Sequence, residues 1–115
     1  MKAYLGAIIL LLTVGAFQCR KSVMPEDSQL IHVAYNETQC ADPWQRGASD
    51  EETLRHVEHF LRERGIRFSG SSIVPAPANL IVCLACNCPS GRIIIGKIPV
   101  EDRPKIEQYG FSIHQ

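Results

Sequence analysis

Five cysteines stand in a chain of 115 residues: Cys19, Cys40, Cys83, Cys86 and Cys88. Three of them fall within six residues as Cys83-x-x-Cys86-x-Cys88. Thiols so close together support three chemistries. The first is disulfide bonding, which suits Cys40, Cys83, Cys86 and Cys88 as an even set in an oxidising compartment. Each bridge would add ~2–4 kcal/mol by restricting the unfolded chain. A Cys86–Cys88 ring is too small for relaxed disulfide geometry, so the favoured pairing is Cys83–Cys88 with Cys40–Cys86. The second chemistry is a thiolate metal centre built from the same four residues, since four sulfurs satisfy tetrahedral Zn²⁺ and thiolate-rich sites also take Cu(I). One C-x-x-C knuckle is half of a zinc-ribbon signature, which puts metal binding second. Redox catalysis through C-x-x-C ranks last. Leu-Ile-Val leads into Cys83 and Pro-Ser-Gly leads out of Cys88, leaving no helix N-terminus to lower a thiol pKa.

The remaining reactive side chains form no constellation. There is no nucleophile elbow, phosphate loop, zinc-protease motif or Ser-His-Asp arrangement. His56 and His59 sit near Glu52 and Glu63 on the polar side of a predicted helix, a pattern read as a solvated face before a surface metal site. His32 alternates with apolar strand neighbours and reads as structural, and His114 lies close to the C-terminus, where mobility is expected. Asn36-Glu37-Thr38 is a glycosylation sequon, of consequence only in a host that glycosylates. Trp44, after Asp42-Pro43, is expected to pack at the core edge rather than anchor a partner. The expectation is a protein without catalysis of its own.

The elements that must position these residues follow from pattern. Leu30 to Tyr35 is a short β-rich run, followed by an ordered loop through Cys40 and Trp44 to Gly47. Ser49-Asp50-Glu51-Glu52 is a capping box with acids at the positive end of a helix dipole. Leu54, Val57 and Leu61, flanked by Phe60, keep the 3.6-residue period, and Gly65 supplies the left-handed stop, so a helix spans 50–64. Ile66–Val74 reads as a strand weakened by Gly70. Leu80–Cys86 (LIVCLAC), apolar on both faces, reads as an interior strand that turns at Asn87–Gly91 into a partner, Arg92–Ile98. Glu101 or Asp102 then caps a short helix with Pro104 in its first turn. Ile106 and Tyr109 point inward, Gly110 ends the helix and Phe111 packs back. The order β-α-β-β-β-α predicts an α+β two-layer sandwich: a mainly antiparallel sheet of about four strands with two helices.

Size and composition agree with one such domain over 30–115. The chain is 45% hydrophobic and 21% charged, which is globular rather than disordered. Its 12 basic residues are matched by 12 acidic ones, so it lacks the cationic surplus on which nucleic-acid binding rests.

The N-terminus carries a different signal. Lys2 precedes a 15-residue uncharged run, Ala3 to Phe17, too short at 1.5 Å per residue to cross a ~30 Å hydrocarbon core comfortably. That is the pattern of a secretory signal peptide over 1–18. Cleavage after Ala16, with Val14 and Ala16 as the small residues, would release a soluble secreted protein.

The run Ala16-Phe17-Gln18-Cys19 instead resembles the lipobox of bacterial lipoproteins, with Gln18 where that pattern has Gly, Ala or Ser. The resemblance implies a lipid on Cys19 and a flexible tether over 19–29, holding the domain to a membrane and facing the periplasm or the cell surface. Combined with Tyr35–Trp44 (YNETQCADPW), Cys83–Arg92 (CLACNCPSGR) and Tyr109-Gly110-Phe111, it makes most of the chain similar to small uncharacterised lipoproteins of Bacteroidota-type bacteria. That likeness implies an envelope location and an envelope protein or ligand as partner, with no activity attached. Removing 1–18 takes away one lysine and no acid, so the charge balance survives export.

Overall fold

The structure, a computed structural model, describes residues 29–81 and 83–114. The stretch read above as a signal peptide, Cys19 and the expected tether up to residue 28 lie outside the described residues. Four strands and two helices follow in order: β1 (Leu30–Thr38), α1 (Asp50–Glu63), β2 (Ser69–Pro75), β3 (Pro89–Pro99), a 3-10 turn (Val100–Asp102), α2 (Arg103–Glu107) and β4 (Ser112–Ile113). They make one antiparallel sheet, β2-β3-β1-β4, in an α+β arrangement.

Alternation along β1 sends Val33, Tyr35 and Glu37 to a buried inner face and leaves His32 and Asn36 exposed on the other. Tyr35 lies opposite Ile94, Val33 opposite Gly96 and Ile31 opposite Ile98, so β3 supplies the matching inner row. Gly96 is required there. A Cβ on it would sit 2.3 Å from Phe68 Cε2, and its absence lets the Phe68 ring lie flat on the sheet against Phe111, 5.7 Å between centroids.

Helix α1 covers the inner face with Thr53, Val57 and Leu61, all buried. Its start is set by Ser49, whose hydroxyl accepts from the Glu52 amide at 3.2 Å. The Glu52 carboxylate reaches back one residue further than a capping box requires, to the Ala48 amide at 2.9 Å. Its end is a Schellman turn: Gly65 at φ +73° donates to the Arg62 carbonyl, and Ile66 donates to that of Leu61. Ile66 is thereby drawn into the core at 1% exposure. Tyr35, Trp44, Phe60, Phe68, Tyr109 and Phe111 complete an aromatic layer, with Tyr35 and Trp44 edge-on at 4.8 Å.

The sheet has the predicted number of strands but a different fourth member. Among the described residues of Leu80–Cys86 there is no strand. β3 already has β1 on one side and β2 on the other, so the predicted hairpin place beside β3 is taken. The cysteines impose the alternative: Cys83 bonds Cys88 only five residues on, which forces the chain to double back inside the apolar run. Ile81 and Leu84 are consequently 82% and 96% exposed, the reverse of an interior strand. The missing strand is β4, whose register places Ile113 opposite Val33 and Ser112 opposite Ala34. His114 continues it, its amide donating to the His32 carbonyl at 2.9 Å, so the residue expected to be mobile is bound to the sheet edge.

Candidate functional site: the stapled end of the sheet

Residues 76–88 connect β2 to β3 and gather the chemistry of the chain at one end of the sheet. Cys40 is joined to Cys86 and Cys83 to Cys88, with Cα separations of 4.5 and 5.3 Å, inside the range that a disulfide spans. The loop after β1 is laid against this segment. The Gln39 amide donates to the Cys88 carbonyl at 2.9 Å and the Cys40 amide to that of Cys86 at 3.0 Å. The Gln39 side chain adds a bond to the Cys83 carbonyl at 3.1 Å. Two turns shape the loop itself, Leu80 N–H to the Pro77 carbonyl and Cys88 N–H to the Ala85 carbonyl. The result is a covalently fixed loop whose backbone is hydrogen-bonded while Leu84 and Ile81 project into solvent.

This pairing overturns the thiolate alternative. Zn²⁺ and Cu(I) bind thiolates, and the sulfurs of Cys40, Cys83, Cys86 and Cys88 are consumed in disulfides. Among the described residues, no group of three or more His, Cys, Asp or Glu is arranged to hold a metal ion. The C-x-x-C pair is likewise split, since Cys83 and Cys86 bond to different partners. On α1, His56 donates from Nδ1 to the Gln45 carbonyl at 2.6 Å, and His59 Nε2 lies 3.0 Å from Glu63 Oε1. Trp44 is buried among Tyr35, Phe60 and Phe111, which makes it a core residue.

Beneath the stapled loop is a charge cluster that the sequence reading missed. Glu37, the middle residue of the sequon, is completely buried. Its Oε1 lies 2.7 Å from Arg46 Nη2 and accepts from the Ser90 hydroxyl at 2.9 Å. Arg92 Nε is 3.3 Å from the same oxygen, near enough for Coulomb attraction but not aligned to donate a hydrogen bond. Arg92 turns its Nη2 to Asp50 at 2.6 Å, which connects the buried carboxylate to the first turn of α1. Arg46 also donates to the Thr38 carbonyl at 2.9 Å, closing the loop after β1. Two carboxylates and two guanidiniums therefore tie β1, β3, the Cys40 loop and α1 together. Shut away from solvent and held by these contacts, Glu37 acts as a strut between them. The alternation Val33, Tyr35, Glu37 was the signal that could have found it, had β1 been extended past Tyr35.

Asp42 organises the next turn. One of its oxygens accepts from Tyr35 Oη at 2.7 Å, Thr38 Oγ1 at 2.8 Å and the Thr38 amide at 3.0 Å. Burial first, then the hydrogen bond to Asp42 and the negative charges of Asp42 and Glu37, push the Tyr35 phenol well above its ordinary range, so it stays a donor. An open cleft of about 360 Å³, lined by Gln39, Cys40, Asp42, Trp44, Gln45 and Arg46, runs alongside. It is open, with a lining about as apolar as polar, and Arg46 is the one cation among these residues.

Among the described residues, no helix is long and apolar enough to cross a membrane. Comparison with protein-family models, with curated proteins and with solved structures finds no match to this chain.

Proposed function

We propose that the chain is an exported, lipid-anchored envelope protein that acts by binding a protein partner through its stapled loop, without catalysis of its own. The observation that carries this reading is the loop itself: two disulfides converge on a segment that leaves Leu84 and Ile81 in water. Disulfides form and persist in oxidising compartments, which agrees with the signal-like run at the N-terminus. A loop held in one conformation loses little entropy on binding, and exposed apolar side chains on it supply buried contact area in a complex. The position of the loop suits a tethered module. β1 begins at Leu30, where the chain arrives from the tether, and ends at Thr38, opposite Pro89 beside the loop. Nine extended residues put the two ends roughly 25–30 Å apart. The apolar tip thus lies at the end of the sheet away from the anchor.

The test places a photo-activatable cross-linking residue at position 84 in the full chain in its native envelope, with position 55 on the exposed side of α1 as control. A discrete adduct from 84 and none from 55 supports the binding loop; no adduct from 84, or equal adducts from both, overturns it. The anchor is tested separately. Cys19→Ser should release the protein from membranes, and a variant that stays bound as tightly refutes lipidation.

A further inference from the structure

We propose that His32 and His114 form a two-histidine chelate for a first-row divalent cation on the outer face of the sheet. β4 and β1 pair with Ile113 opposite Val33 and Ser112 opposite Ala34. Carrying that register one residue on sets His114 opposite His32, and the hydrogen bond from the His114 amide to the His32 carbonyl holds it there at 2.9 Å. Directly opposed residues share a face of the sheet, and their Cβ atoms are ~4.5–5.5 Å apart. Two nitrogens on a tetrahedral ion at ~2.0–2.1 Å must come within about 3.3 Å of each other, a distance that imidazoles rooted at this spacing can reach.

Both residues are exposed, and among the described residues neither imidazole has a hydrogen-bond or ion-pair partner. His56 and His59 differ in this respect, being engaged by Gln45 and Glu63. Lys97 is the third member of the row, opposite His32 on β3. Its Cδ is 3.9 Å from where a Gly70 Cβ would stand, so its stem leans over β2 and away from the pair. Imidazole nitrogen suits Zn²⁺, Ni²⁺ and Cu²⁺, with water filling the other positions. Such an ion would clip β4, a strand of two residues, onto β1. The site uses none of the cysteines and is independent of the binding loop.

The experiment is a Zn²⁺ titration of the full chain in detergent micelles, followed by the NMR signals of the four imidazoles. The signals of His32 and His114 should move together and saturate at one Zn²⁺ per chain, while those of His56 and His59 stay in place. Exchange of the His114 amide should slow at saturation. His32→Ala and His114→Ala each remove one arm of the chelate and should weaken binding at least about tenfold. The proposal is overturned if His59 responds first, if only one of the pair moves, or if both variants bind Zn²⁺ as the parent does.

Discussion

The two disulfides close loops of very different length, and this difference sets a quantitative test of how the stapled end is held. Cys40–Cys86 spans 46 residues and Cys83–Cys88 spans five. With the chain-entropy relation for cross-links, the long bridge restricts the unfolded ensemble by ~4 kcal/mol at 25 °C and the short one by ~2 kcal/mol. Replacing Cys40 and Cys86 together with alanine should therefore cost about twice as much as replacing Cys83 and Cys88. For a domain of this size the corresponding losses in Tm are about 15–30 °C and 8–16 °C. Guanidinium unfolding without reductant reads both effects. The long-bridge variant should also show a steeper denaturant dependence, because its unfolded chain expands and exposes more surface. Equal costs, or a larger cost for the Cys83–Cys88 variant, would refute the unfolded-state account. They would mean that the short ring matters through native contacts in the loop, the hydrogen bonds from Gln39 and Cys40 foremost.

Three further outcomes are expected. Glu37→Ala should destabilise by about 3 kcal/mol in denaturant unfolding, since it leaves Arg46 and Arg92 facing each other over a cavity. Glu37→Gln should cost about 1–2 kcal/mol because both guanidiniums reach water, and a neutral effect of both variants would show that the cluster is dispensable. Gly96→Ala drives a methyl into Phe68 and should cost about 1–3 kcal/mol. Phe68→Leu in the same chain should recover part of that loss, and strictly additive losses would contradict the contact. Tyr35 has a folded-state pKa above the value of about 10 in the unfolded chain, so its contribution is complete below pH 10 and falls as pH rises beyond it. Between pH 10 and 11 the parent should lose about 1 kcal/mol more than Tyr35→Phe, and parallel curves would disprove the shift.

What the sequence shows and hides follows from the range of each signal. Helix α1 was legible in full because its cap, its period and its Gly65 stop are local, all within 17 residues from Ser49. The inward alternation of β1 was equally local, yet the polar letters Asn36-Glu37-Thr38 read as a strand end. A glutamate belongs inside only when Arg46 and Arg92 arrive from elsewhere in the chain, and no window around Glu37 contains Arg92. The error at Leu80–Cys86 has the opposite cause. Its apolar run is a genuine strand signal, overruled by the Cys83–Cys88 bridge that doubles it back and by the cross-link from Cys86 to Cys40, 46 residues away. Apolarity there marks a surface that meets water, and periodicity cannot distinguish that from a core strand. β4 escaped notice because two residues carry no period at all.

These non-local constraints are gathered where the apolar core is thinnest, and that placement has a physical reason. Along most of the sheet the inner face is closed by α1 and the aromatic layer, so burial of Val33, Ile94, Ile98, Leu61 and Phe111 fixes the strands. At the Thr38–Pro89 end only the N-terminal turn of α1 is in reach, through Asp50 and Arg92. Apolar packing cannot hold a loop whose leucine and isoleucine point outward. Two disulfides, the Glu37–Arg46–Arg92 cluster and the bonds from Gln39 and Cys40 perform that task instead. A loop intended merely to connect β2 to β3 would need none of them, because the strands already pair from Pro75 opposite Arg92 onward. The concentration of covalent and ionic restraint on a connection that buries so little of its apolar surface is the feature on which the proposed binding role rests, since a loop fixed beforehand loses little entropy in a complex.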